Sequence, residues 1–455
     1  MRKILIPPLY FSLGLLAIDV ISLVSLLKLV YYLRIGAWHG DQWTLILPVA
    51  LTLMSLYVLD VYRTDLRVSG MRAPVRTITA VVFAGFLSAV TAYLMGYWGN
   101  LFGRGVLPIA LMCFAVWAAL VRYVVSKWAR SRAGSVHWLV LGVGEPAARL
   151  WKDFRDARAE GEMHFLALDE PDRNEATSRG LPVPRWTLDD LPSLTGYTGL
   201  IITLDPPLPD ALVQRLMQIR FSGTPVYDLP DFYEHFWLKV PVLHLQGGWL
   251  VFSYAFDLLQ NPLGLRLKRI LDVSASLLML LSLAPLMALI ALAIRIDSPG
   301  PAIYRQTRVG EGKKFFTLYK FRSMRTDAES HGPRWAGVDD SRITRVGKIL
   351  RVTRLDELPQ LWNVLRGDMS FIGPRPERPE FTGMLEKQIP YYDSRHLVKP
   401  GITGWAQVMY AYGASVDDAR EKLQYDLYYI KHYSLLLDIA ILFKTIRVVL
   451  LGRGR

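Results

Sequence analysis

A chain of 455 residues, 52% hydrophobic and with a mean hydropathy of +0.23, is long enough for two or three domains and too apolar for an ordinary soluble enzyme. A formal net charge of +13 suits anionic partners: phospholipid head groups, polyprenyl phosphate, sugar nucleotides or nucleic acid. The single cysteine, Cys113, excludes an intrachain disulfide, and nothing points to an oxidising compartment.

Four apolar stretches fill the first third, at about 8–33, 43–62, 74–98 and 105–125, each near or above the roughly 20 residues that a bilayer crossing needs. They predict a four-helix transmembrane bundle over 1–130. Arg63, Arg67, Arg72 and Arg76 follow the second stretch, and Lys127, Arg130 and Arg132 follow the fourth; the other two connections offer only Arg34 and Arg104. The positive-inside rule then puts both ends of the bundle in the cytoplasm. The first helix is expected to be uncleaved, since its apolar run exceeds a signal-peptide core and no small-residue cleavage site precedes soluble sequence.

From about 136 to 243 short β-type runs (HWLVLG, HFLALD, GLIITL, TPVYDL) alternate with helical ones (PAARLWKDFRDA, DALVQRLMQI), the grammar of a small parallel α/β sheet. A cytoplasmic Rossmann-like domain over 131–250 is expected. The turn Gly142-Val143-Gly144-Glu145-Pro146-Ala147 loosely fits a dinucleotide fingerprint, with Asp169 where a ribose-binding acid would sit; a tight glycine turn in a non-binding sheet explains it equally well.

A fifth apolar run, Ile270 to Ile296, has Arg266, Lys268 and Arg269 before it and Arg295, Arg305, Arg308, Lys313 and Lys314 after it, with Pro285 near its middle. Basic residues on both flanks disfavour a simple crossing, and proline removes a helix hydrogen bond. A re-entrant helix-break-helix over about 266–297, broken at Ala284-Pro285, satisfies both facts. A kinked fifth crossing is the other reading; it would carry the basic C-terminal region across the membrane, away from nucleotide substrates.

Between Tyr304 and Arg354 stand 13 lysines and arginines against 5 acids, interleaved with aromatics in KKFFTLYKFRSMR. Such a strip faces lipid head groups or cradles a diphosphate; attachment to the bilayer argues against nucleic acid. GKILRVTRLDELPQLWNVL then reads as one helix with Leu355, Leu358, Leu361 and Leu365 inward, strained by Pro359. Asp356 and Glu357, among Lys348, Arg351 and Arg354, can stay ionised, bind Mg²⁺ through oxygen and leave one oxygen as nucleophile; an isolated Asp-Glu pair is otherwise an ordinary solvated helix face.

The context decides between these. LDELPQLWNVLRGDMSFIGPRPE, followed by VKPGITGWAQV and KLQYDLYYIKHYSLLLDI, closely resembles the bacterial sugar transferase family of phosphoglycosyl transferases, over about 265–455. The resemblance implies a mainly α-helical catalytic domain over 251–455, and the preceding bundle and α/β domain look like those of the large members that start exopolysaccharide or O-antigen chains. It makes Asp356 the nucleophile on the sugar-bearing phosphate of a UDP-sugar, with UMP leaving and undecaprenyl phosphate taking the sugar phosphate from the aspartyl intermediate. Glu357 would help Asp356 hold Mg²⁺.

Lys320, Arg351, Arg354, Arg375 and Lys399 are the expected phosphate-binding cations, Arg375 being fixed between Pro374 and Pro376. Trp405, Gln407 and Asp426 would border nucleotide or sugar, with core packing the plainer account of the tryptophan. Many relatives have Ser-Pro where this chain has Ala284-Pro285, and arginine where it has Lys399. The last apolar run, interrupted by Asp438, Lys444 and Arg447, reads as an interfacial helix. The large relatives imply a homodimer in the bacterial inner membrane. A glycosyltransferase releasing UDP is disfavoured because no two aspartates have Asp-x-Asp spacing, and a non-catalytic scaffold because the Asp356-Glu357 pair and its cations are intact.

Overall fold

A computed structural model describes residues 8–38, 43–58, 61–62, 72–94, 105–133, 136–156, 161–168, 170–183, 197–205, 207–245, 261–328, 340–410, 413 and 415–450. The chain divides into two compact units, Met1–Leu229 and Pro230–Arg455.

The first unit opens with four apolar helices: α1 (Pro8–Ile35), α2 (Trp43–Val58), α3 (Arg72–Leu94) and α4 (Val106–Ala133). Leu23, Leu27, Leu56, Ala80, Phe114 and Ala118 form their dry centre, the alanines allowing close backbone approach. A buried charged cluster interrupts it: Asp19 of α1 accepts from Arg122 of α4 at 2.6 Å and from Tyr62, beyond α2, at 2.8 Å. Of the basic residues that set the expected orientation, Arg63, Arg67 and Arg104 lie outside the described residues.

Next come β1 (His137–Leu141), α5 (Glu145–Asp156), β2 (Glu162–Leu166), α6 (Glu170–Ser178), β3 (Gly199–Ile202), α7 (Asp210–Phe221) and β4 (Val226–Asp228). The sheet is wholly parallel, ordered β2-β1-β3-β4. The central strands β1 and β3, rich in Leu, Val and Ile, are almost wholly buried, as strands covered on both faces must be. Gly142, at φ +110°, turns β1 towards α5, and a Cβ there would lie 2.7 Å from Thr203 Oγ1. The helix that follows starts with Glu145, whose exposed carboxylate accepts from Arg179 at 2.8 Å. Asp169 lies outside the described residues.

The second unit begins with α8 (Leu229–Phe232, continuing from the first unit), a π-turn at Tyr233–Trp237 and a 3-10 turn at Val242–His244. It continues with α9 (Pro262–Asp297), the antiparallel hairpin β5 (Ile303–Val309) and β6 (Phe315–Phe321), α10 (Arg345–Thr353), a 3-10 turn Leu355–Glu357, and α11 (Gln360–Arg366). β7 (Ser370–Ile372), α12 (Pro379–Gln388), a 3-10 turn Tyr392–Leu397, β8 (Gly401–Thr403), α13 (Trp405–Met409), α14 (Val416–Lys431) and α15 (Leu435–Leu450) complete it. Helices dominate, as the sequence suggests.

α9 is helical throughout, without the break expected at Ala284-Pro285, and both of these residues are exposed. Lys268, Asp272 and Ser276 are buried near its start, and Ile290 and Ile294 near its end. Lys268 pairs with Asp438 of α15 at 2.5 Å, and Asp272 accepts from Phe371 N of β7 at 3.2 Å. Asp438 therefore turns inward, as does Lys444 over the Trp405 ring at 5.3 Å, while Leu436, Ile439, Leu442 and Phe443 of α15 stay exposed. Among the described residues four helical segments are long and apolar enough to cross a membrane: Leu13–Ile35, Val75–Tyr93, Val106–Val125 and Pro262–Asp297; Leu45–Val58 is a shorter apolar helix.

Candidate active site

The single helix expected from Gly347 to Leu365 is instead three pieces, and the break comes before the proline. α10 ends at Thr353, Arg354 takes the left-handed conformation (φ 59°), and a 3-10 turn carries Asp356 and Glu357 before Pro359 caps α11 in an ordinary helical conformation. Proline is suited to a helix start, where its missing N–H has no intrahelical partner to lose. The reversal at Arg354 turns both carboxylates inward, each less than a tenth exposed.

Glu357 lies in a cage of cations. Its Oε1 accepts from Arg375 at 2.9 Å and Lys320 at 3.3 Å, and lies 3.5 Å from Arg354 Nη1. Lys320 comes from β6, which α11 holds in register: buried Asn363 donates to Thr317 O at 2.7 Å and accepts from Tyr319 N at 3.1 Å. Arg375 sits on a turn whose three successive carbonyls are all bound. Pro374 O accepts from Gly401 N at 2.9 Å, Arg375 O from Arg395 at 2.9 Å and Pro376 O from Arg308 at 3.0 Å. Gly401 and Gly404 serve close approach rather than a turn: a Cβ on either would come 2.1 Å from the backbone of Gly373. Asp356 differs from its neighbour. Its Oδ1 is buried and has no hydrogen-bond partner.

Burial disfavours both charges, but Arg375, Lys320 and Arg354 outweigh it at Glu357 and hold that carboxyl far below the usual carboxylate range. At Asp356 burial prevails, reinforced by the Glu357 charge and opposed by Lys320, and the carboxyl is raised. Burial also lowers Lys320, with Glu357 opposing and Arg375 adding to the effect. Three cations around two acids leave the site short of negative charge, which an anion can supply.

These groups face one cavity of about 1460 Å³. Ala288, Ala291, Leu292 and Arg295 of α9 form part of its wall; Gln407, Tyr410, Lys422 and Asp426 form another. Of the residues expected from the sequence, Lys320, Arg351, Arg354, Asp356, Glu357, Arg375, Gln407 and Asp426 share this cavity. Trp405 turns into the core, donating to Leu238 O at 2.9 Å. Pro374 and Pro376 contribute their carbonyls to the turn, and Lys399 lies by Gly367 on the side facing Arg269.

Arg395 escaped the sequence reading. It is buried, donates to Tyr392 Oη at 2.6 Å and Asp426 at 3.0 Å as well as to Arg375 O, and so joins α14 to the Arg375 turn. Burial pushes Asp426 up to about 6, against the pull of Arg395. Nothing in YYDSRHL marks that arginine: Tyr392 is a local partner, but Arg375 O and Asp426 lie 20 and 31 positions away.

Among the described residues no three His, Cys, Asp or Glu side chains converge as a metal site. The unpartnered Asp356 Oδ1 still fits Mg²⁺, a hard ion that commonly takes only one or two carboxylates, keeping waters and substrate phosphates as its other ligands.

The sequence of this unit has known relatives. Residues 263–452 match the family model for bacterial sugar transferases. The chain is 43% identical over 272 residues to a UDP-N-acetylgalactosamine-undecaprenyl-phosphate N-acetylgalactosaminephosphotransferase of Aeromonas hydrophila, covering 59% of this chain and 63% of that protein. It is 45% identical over 193 residues to the undecaprenyl-phosphate glucose phosphotransferase of Komagataeibacter xylinus, 41% of this chain and 36% of that one. It is also 46% identical over 195 residues to the exopolysaccharide production protein PSS of Rhizobium leguminosarum bv. phaseoli, 42% of this chain and 97% of that protein. The chain belongs to the bacterial sugar transferase family. Matches to the first two relatives span less than two thirds of their lengths.

Proposed function

We propose that this protein transfers a hexose 1-phosphate from a UDP-sugar to undecaprenyl phosphate at the cytoplasmic face of the bacterial inner membrane, opening exopolysaccharide or O-antigen synthesis. The carrying observation is the buried, unpartnered Asp356 Oδ1 beside a caged Glu357. In the first step an Asp356 oxygen attacks the sugar-bearing phosphorus; the bond from that phosphorus to the bridging oxygen breaks, and UMP leaves with the oxygen. In the second, a phosphate oxygen of undecaprenyl phosphate attacks the same phosphorus and the Asp356 carboxylate is released. Phosphoryl transfer asks mainly for charge neutralisation and in-line placement, which Lys320, Arg354 and Arg375 supply with little reorganisation. Mg²⁺, held by Asp356 with Glu357 adjacent, would add neutralisation of the diphosphate when bound.

Arg295 and Arg351, near the α9 wall, suit the lipid phosphate, and the wall with Gln407 and Lys422 suits the sugar nucleotide. The re-entrant reading of α9 draws support from burial. Between Ser276 and Ile290 about 13 successive residues include no buried side chain, roughly 20 Å of helix against the roughly 30 Å of a bilayer core. Both flanks pack on the same unit, and Pro285 removes a hydrogen bond between them. The β2-β1-β3-β4 order supports a doubly wound, Rossmann-like α/β domain with an assembly role, and likeness to large family members supports a homodimer.

Purified protein incubated with Mg²⁺, undecaprenyl phosphate and a panel of UDP-sugars should release UMP. Release of UDP instead would identify a sugar-only glycosyltransferase, and no release with any sugar a scaffold.

A further inference from the structure

Residues 230–245 precede the stretch that matches the family, which starts at 263, yet they are built into the same compact unit. Val240 is fully buried and Val242 nearly so, packed with Leu385, Tyr392, Leu423 and Leu427. The polar anchors are as close. Glu234, itself buried, accepts from Lys431 at 2.7 Å and lies 2.9 Å from His432 Nε2. Lys239 donates to Glu421 at 2.6 Å and sits over the Tyr425 ring at 5.9 Å. Val240 N donates to Gln424 O at 3.0 Å, and Leu238 O receives the Trp405 indole N–H. Leu238 adopts φ 55°, ψ 39°, a left-handed conformation that leucine keeps only where its surroundings impose it.

These contacts fall on one side of α14. Glu421, Gln424, Tyr428 and Lys431 recur at three- and four-residue spacing, so they share a face. Ala419, Lys422 and Asp426 recur likewise on another face, and they line the catalytic cavity. Trp405 precedes Ala406 and Gln407, which also line it. The segment thus lies behind two walls of the cavity and touches neither carboxylate.

We propose that residues 230–244 are a positioning element of the transferase, fixing α14 and α13 from behind so that Lys422, Asp426 and Gln407 meet the bound sugar nucleotide in register. The inference rests on the transferase reading above. Its test is steady-state kinetics on the full chain with UDP-glucose and UDP-N-acetylgalactosamine, using whichever the wild type turns over. Lys239→Glu and Glu421→Lys should each raise KM for the UDP-sugar about tenfold with kcat within about twofold, and the double exchange should restore KM to within about threefold. Native KM in both single variants, a kcat that falls only with the folded fraction, or a double exchange that restores nothing would overturn the inference. If the reversals do not accumulate as folded protein, Glu234→Gln and Trp405→Phe, read by the same KM, decide it. A wild type that turns over no UDP-sugar strikes the transferase reading itself; normal wild-type turnover with unshifted variants strikes only the positioning role.

Discussion

Asp19 in the first unit and Asp356 in the second are both buried carboxylates with arginine nearby, and they differ in what is left over. Asp19 has both oxygens bound by Arg122, with Tyr62 added, and joins α1 to α4 with no acceptor spare. Around Asp356 and Glu357 three cations converge, nearly all on Glu357, and Asp356, which lines the cavity, keeps one buried oxygen without a hydrogen-bond partner. A saturated pair secures helices against each other. An unsaturated acid beside surplus positive charge suits an anionic ligand, and on the function proposed above it would attack that ligand.

Substitutions can break that contrast, beginning with the largest effect. Asp356→Asn should abolish UMP release and capture of a phosphosugar on the protein, a loss of about 10⁴-fold or more, with an unaltered unfolding midpoint. Turnover within tenfold of wild type would remove Asp356 as the nucleophile. Glu357→Gln should cost about 10²–10³-fold in kcat/KM and also shift its pH dependence. The Glu357 charge helps to raise Asp356, and losing it frees Lys320 and Arg375 to stabilise the Asp356 carboxylate. The acid limb of the residual activity should therefore move to lower pH; a limb that moves up would contradict the cage.

Arg375→Lys should raise KM for the UDP-sugar by roughly tenfold, because a point charge cannot reproduce the guanidinium fork on a turn held this tightly. Asp19→Asn should lower the thermal midpoint in detergent, by about 1–3 kcal/mol of stability, while activity per folded molecule stays within about twofold. A selective loss of kcat in that variant would mean that the bundle pair does more than join helices.

Much of this was legible from local pattern. Apolar runs gave away the helices of the first unit, since 20 consecutive lipid-compatible residues admit few other readings. Strand-like runs between helical ones announced the parallel sheet. LDEL and PRP marked the candidate site through the family resemblance of the longer stretch that holds them, since an Asp-Glu pair alone reads equally well as a solvated face. What pattern misled on was α10 and α11: hydrophobic spacing continues through Arg354 although the backbone reverses there, and periodicity reports a face without reporting a break.

The sequence by itself determined which residues bury, which segments suit a membrane and where the paired acids and most cations lie, because each follows from neighbours within a few positions. Only the tertiary structure decided how those charges are shared. Glu357 is caged and Asp356 bare, Arg395 holds a turn from 20 residues away, Trp405 leaves the cavity for the core, and 230–245 braces α14. Each of these depends on a through-space distance of a few ångströms between groups far apart in the chain, where hydrogen bonding and desolvation act and local spacing carries no record of them.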